Sequence, residues 1–124
     1  MTRLPNISVF ITALVFAMLF TQSGMAIEPG PITPEEGKAL IEQKKELVIL
    51  DVRNPNEYVT THYPNALNIP VNELEARLSE IPGDAPVLVH CAKGVRAGRA
   101  YEILKEKRPD LEELYLVSGA PIFD

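Results

Sequence analysis

The stretch Val87–Arg99 constrains the fold more than any other. Val87-Leu88-Val89-His90 is a short apolar run, Cys91-Ala92-Lys93-Gly94 is a tight break, and from Val95 onward Ala97, Ala100, Tyr101 and Leu104 recur at helical spacing. This predicts strand, loop and helix, the last running to about Lys107. A buried strand that passes directly into a helix is the repeating unit of an α/β domain, and ligands bind such domains at the carboxyl edge of the sheet. The one cysteine of the chain, Cys91, falls on that edge.

A cysteine placed there faces the start of the helix, where unpaired backbone N–H groups and the helix dipole favour negative charge. Lys93, Arg96 and Arg99 add positive charge close by. The thiolate, which is the nucleophilic form, is therefore the favoured one. Successive amides of a tight turn, here those of Ala92 to Arg96, also make a concave seat for an oxyanion. Gly94 supplies the freedom to turn. The competing reading is a buried structural cysteine, but three cations and a glycine in one loop favour a reactive thiol.

Cys91-Ala92-Lys93-Gly94-Val95-Arg96 resembles the active-site loop of the rhodanese family of sulfurtransferases, a Cys-x4-Arg loop. Tyrosine phosphatases and arsenate reductases carry Cys-x5-Arg, a wider loop that surrounds a phosphate, and here position 97 is Ala. A second region resembles the same family: Asp51-Val52-Arg53, then Glu57-Tyr58, His62 and Ala66-Leu67-Asn68-Ile69-Pro70. Thr61 and Asn65 stand where that family usually has glycine. Asn tolerates positive φ, whereas a β-branched Thr resists it.

The resemblance implies a rhodanese-like three-layer α/β domain, with a mostly parallel sheet and helices on both faces, over residues 33–124. It implies that Cys91 attacks a sulfane sulfur and carries it as a persulfide. Lys93 and Arg96, with Ala92, Gly94 and Val95, would seat the substrate, and Asp51 and Arg53 would support the site from the end of a neighbouring strand. The donor would be thiosulfate or a related sulfane-sulfur compound, and the acceptor a small thiophile or a protein thiol. No cofactor is implied.

Ahead of this domain, Ile7–Phe20 is an apolar run of fourteen residues, preceded by Arg3 and followed by Gly24-Met25-Ala26. Residues 1–26 therefore resemble a secretory signal cleaved after Ala26, the run being shorter than the ~20 residues of a spanning helix. An exported, periplasmic protein similar to the phage-shock type of rhodanese is the expectation. The remaining 98 residues suffice for one small core burying roughly 60–65% of the unfolded surface. The full chain carries −5 at pH 7, and loss of Arg3 takes it to −6. That balance argues against nucleic acid or an anionic membrane surface as partner. Two histidines and one cysteine at no ligand spacing predict no metal site.

Residues 27–32 read as a linker. Thr33-Pro34-Glu35-Glu36 opens a helix with Thr33 as N-cap, Pro34 at its first position and Glu36 closing a capping box, running to about Lys45. Leu47–Leu50 reads as a strand buried on both faces. At its end an Arg53–Glu57 ion pair and a turn-stabilising His62 are the structural readings. Asn72–Leu78 reads as a short helix capped by Asn72 and Glu75. Leu114–Val117 is the last strand. Only five residues follow Gly119, and there is no Trp, so the terminal helix usual in the resembled family is expected to be short or absent.

Three rival functions share these residues. A phosphatase or arsenate reductase would also use a thiolate, a persulfide carrier would hand sulfur to a protein, and a redox-sensing or anion-binding module would only form mixed disulfides. Arg99 reads equally as a helix surface charge or a substrate contact.

Overall fold

The computed structural model describes residues 26–124 together with Thr2. The expected signal otherwise lies outside the described residues. In chain order the elements are β1 (Gly30–Ile32), α1 (Pro34–Gln43), β2 (Val48–Asp51), α2 (Pro55–Thr60), β3 (Leu67–Asn68), a 3₁₀ segment (Val71–Glu80), β4 (Val87–His90), α3 (Val95–Lys107) and β5 (Leu114–Val117). The strands form one sheet in the order β1-β5-β4-β2-β3, with every pairing parallel. Parallel neighbours require crossovers, and the helices supply them.

Strand alternation divides the core between two layers of helix. On β4, Val87 and Val89 point into the same cluster as Leu50, Val52 and the Ala97, Ala100 and Leu104 face of α3, while Leu88 packs with Leu40, Tyr115 and Val117 on the α1 side. Successive side chains at the end of β4 therefore diverge. Cys91 belongs with the α3 cluster, and His90 packs on the opposite face against Tyr63 and Phe123. Ala97 and Ala100, both fully buried, are small enough to bring the start of α3 close to the sheet.

Thr33 caps α1 as its sequence dictates: Thr33 Oγ1 accepts the Glu36 N–H at 3.1 Å, and Glu36 Oε1 accepts the Thr33 N–H at 3.1 Å. Two local expectations are corrected. Residues 30–32 of the expected linker are strand β1, in register with Tyr115 to Val117. A three-residue strand holding Pro31 gives no periodic signal, and the sheet edge tolerates a residue without an N–H. The Asn72 helix is a 3₁₀ segment beginning after Pro70, with no side-chain cap and with non-helical backbone at Arg77. The Asn72 side chain instead accepts from Arg99 Nη1 at 3.2 Å, so α3 claims the group that would have capped it.

The short C-terminus covers the sheet without a helix. Phe123 lies 4.8 Å from the Tyr63 ring, 5.9 Å from His90 and 5.1 Å beneath the Arg53 guanidinium. One aromatic side chain thus closes the end of β2 and β4 on the side away from Cys91.

Candidate active site

β4 ends at His90, and the chain turns through Gly94, whose φ of 100° lies in the left-handed region that favours glycine. A side chain there would also meet the backbone: a Cβ on Gly94 would stand 2.8 Å from the Gly119 nitrogen. The loop after β5 is thus packed against the loop after β4. This turn brings the Gly94 N–H to 3.0 Å from Cys91 Sγ, to which it donates. A backbone donor aimed at sulfur stabilises a thiolate and, one atom further out, a persulfide anion.

Cys91 is 1% exposed, yet it forms the floor of a half-open cavity of about 280 Å³ lined also by Glu57, Ala92, Lys93, Val95 and Arg96. Of the residues expected to seat the substrate, Ala92, Lys93, Val95 and Arg96 line this cavity, while Gly94 contributes its N–H to Cys91. Val95 is 82% exposed and gives the rim an apolar surface. Lys93 is exposed and, among the described residues, takes part in no ion pair. A larger cleft, about 350 Å³, lies beyond the opposite ends of β4 and β5 and is lined by Asp84, Asp110, Glu112 and Glu113. Its ionisable lining is all carboxylate, with neither a thiol nor a cation.

Arg96 is not free in this cavity. Its Nη1 donates to Glu57 Oε2 at 2.7 Å and its Nη2 to Glu57 Oε1 at 2.9 Å. Glu57 Oε2 also accepts the Asn54 N–H at 2.9 Å. The Arg96 bonds first, and the Asn54 amide second, hold the Glu57 carboxyl down at about 2. The same pair raises the Arg96 guanidinium above its ordinary value. Glu57 is thus the site residue that sequence reasoning missed, having assigned it to Arg53. Its spacing of three from Asn54 signals a helix start, but nothing in the spacing shows which arginine the carboxylate meets.

Arg53 turns back to Asp51. Arg53 Nε donates to Asp51 Oδ1 at 3.0 Å, Nη2 to Oδ2 at 2.6 Å, and Nη2 also to the Thr61 carbonyl at 2.7 Å. Both residues are buried. The expected Arg53–Glu57 pair is therefore replaced by Arg53–Asp51 and Arg96–Glu57. Asp51 and Arg53 do not line the cavity; they brace the strand ends behind it, helped by Asn68, whose Nδ2 donates to the carbonyls of Asp51 and Arg53 at 3.0 Å each. Asn68 belongs to the second family-like stretch, which acts here as scaffold.

His90 is fully buried, with Nδ1 3.4 Å from the Cys91 carbonyl and with Nε2, 3.8 Å from Asp51 Oδ2, lacking a hydrogen-bond partner among the described residues. Burial pushes its pKa down, and the neighbouring Asp51 carboxylate opposes this only in part. His90 is thus a neutral wedge on the far side of the sheet. His62 is a turn residue as expected, stacked on Tyr58 at 3.8 Å with Nδ1 2.6 Å from the Tyr58 carbonyl. Asn65 takes a φ of 63°, while Thr61 is extended, so the chain needs left-handed backbone at only one of its two glycine-replaced positions.

Known proteins fit this geometry. Residues 33–120 match the rhodanese-like domain. The chain is 33% identical over 110 residues to the uncharacterized protein YqhL of Bacillus subtilis, covering 89% of this chain and 80% of that one. It is 32% identical over 63 residues to a sulfurtransferase of Allochromatium vinosum, covering 51% of this chain and 59% of the relative. Among solved structures it is similar to a rhodanese-related protein from Thermoplasma volcanium, with a TM-score of 0.62, 30% identity, and coverage of 76% of this chain and 86% of that one. With a parallel sheet of the same fold, a Cys-x4-Arg loop at its carboxyl edge and a match across 33–120, the chain belongs to the rhodanese-like domain family.

Proposed function

We propose that the protein is a sulfurtransferase that moves sulfane sulfur from thiosulfate, or a related donor, through a persulfide on Cys91 to a thiophilic acceptor. The observation that carries this reading is the Gly94 N–H donating to Cys91 Sγ at the floor of a cavity with Lys93 at its mouth. In the first half-reaction the Cys91 thiolate attacks the outer sulfur of the donor. The sulfur–sulfur bond of the donor breaks, and sulfite leaves with its electron pair. In the second, the acceptor's lone pair attacks the outer persulfide sulfur and Cys91 leaves as thiolate. Splitting the transfer in two is ordinary covalent catalysis, and no external oxidant or reductant enters.

The family membership and the similarity to a sulfurtransferase support this reading. The separation of Cys91 and Arg96 by four residues supports sulfur over phosphate as the group transferred. An acceptor thiol on another protein is the second reading, favoured by the apolar, exposed Val95 at the rim. We also propose that residues 1–26 direct export, the apolar run Ile7–Phe20 being the supporting feature. Sequencing the N-terminus of the exported product tests this: a start at Ile27 is expected, and a membrane-held product retaining Met1 contradicts it.

The direct test of the transfer is turnover of thiosulfate with cyanide as acceptor. Wild-type protein should release thiocyanate, and Cys91→Ser should lose roughly a thousandfold or more, because a hydroxyl is a far weaker nucleophile of nearly the same size. Residual activity within tenfold of wild type would refute the role of Cys91.

A further inference from the structure

The Glu57–Arg96 pair changes what the cavity can recognise. Four ionisable side chains line it: Glu57, Cys91, Lys93 and Arg96. The pair engages both terminal nitrogens of Arg96 with both oxygens of Glu57, and the two side chains are each about one third exposed (32%), so the contact forms part of the wall. Glu57 thus offsets the charge of Arg96 and leaves Lys93 as the lining cation without a carboxylate partner among the described residues. A cavity built for a dianion would instead leave its guanidinium open. Beside this pair stand Ala92 and the exposed Val95.

We propose that Glu57 selects against doubly charged sulfur donors: by holding Arg96 it favours a monoanionic organic donor, a thiosulfonate or an organic persulfide whose apolar body rests on Ala92 and Val95, over dianionic thiosulfate. This rests on the sulfurtransferase reading above. The carboxylate is present across the whole working pH range, since the Arg96 bonds keep Glu57 ionised down to about 2. A second negative charge on the donor meets that carboxylate, or must displace it from Arg96. Like charges opposed across a binding site are a general means of rejecting a wrong partner. Glu57 is here a specificity-determining residue, and the sulfur transfer itself is unchanged: the thiolate takes the sulfane sulfur, the sulfur–sulfur bond of the donor breaks, and in place of sulfite a sulfinate leaves from a thiosulfonate or a thiolate from an organic persulfide.

The test compares thiosulfate with benzenethiosulfonate, which presents the same sulfane sulfur with one charge fewer and an apolar ring. Glu57→Gln keeps an acceptor for the Asn54 amide, as a capping box permits, and removes the charge. It should raise kcat/KM for thiosulfate, relative to that for benzenethiosulfonate, by about tenfold, chiefly through KM. General damage to the fold would lower both donors together and leave the ratio unmoved. If Glu57→Gln melts far below wild type, the same ratio measured at a temperature well below its midpoint carries the same expectation. A ratio that stays within twofold of wild type, or that shifts toward benzenethiosulfonate, overturns the role of Glu57. If neither donor loads wild-type Cys91 with sulfur, as read by intact mass, the sulfurtransferase reading fails and this inference with it; loading with an unmoved ratio removes only the inference.

Discussion

Arg53 closes on Asp51, two residues before it, through Nε and Nη2, with both side chains almost fully withdrawn from solvent, at 6% and 0% exposure. This pair, and not the expected Arg53–Glu57 contact, holds the end of β2. Breaking a buried pair from one side leaves an uncompensated charge, which costs ~3–5 kcal/mol. Against a total stability of ~5–15 kcal/mol for a small domain, that loss is severe. Arg53→Met should therefore lower the urea midpoint sharply, and adding Asp51→Asn should recover much of it. A single variant as stable as wild type would remove the bracing role assigned to the pair.

How far the sequence carried the description depends on whether a feature is local. The Val87–His90 strand, the helix ending at Lys107, the Leu114–Val117 strand and the Thr33 cap all follow from periodicity and capping chemistry within a few residues, and each lies where it was expected. Cys91, Lys93 and Arg96 were legible for the same reason, lying on one loop. Pairings across the fold were not. Glu57 reaches Arg96 over 39 residues, Asn72 serves Arg99 over 27, and β1 gains its identity only from β5. The closing of the sheet end by Phe123 was illegible because an isolated aromatic in a five-residue tail has no period to read.

Two glycines in and after the loop should respond oppositely to the same substitution. Gly94→Ala forces a side chain into left-handed backbone and against the Gly119 nitrogen. It should cost ~1–3 kcal/mol and displace the amide that donates to Cys91, with a loss of turnover larger than the loss of stability would explain. Gly98→Ala lies in α3 with nothing within 4 Å of the added methyl. It should stabilise by ~0.5–1 kcal/mol and leave turnover intact. Melting curves and kcat/KM for both variants check this. An active Gly94→Ala enzyme would mean that the loop amide is dispensable.

Acid should weaken the fold through two groups. Burial holds the His90 pKa below 6.5, so the unfolded chain binds a proton that the folded chain refuses. Stability from this source is complete above about 6.5 and falls as pH drops through the lower folded value. Glu57, lowered from 4.5 to about 2 by Arg96, contributes stability that is full above 4.5 and is lost on the way down to about 2. Urea denaturation at pH ~7.5 and ~5.5 should show a drop that His90→Phe largely abolishes. An equal drop in that variant would place the titration elsewhere.

The central claim is that Cys91 carries sulfur covalently, and intact mass reads this without knowledge of the physiological acceptor. Protein incubated with a sulfane-sulfur donor and freed of excess should gain about one sulfur, ~32 Da, lose it on addition of cyanide, and show no gain as Cys91→Ser. A mass that does not change, or a gain that survives in Cys91→Ser, would contradict the account.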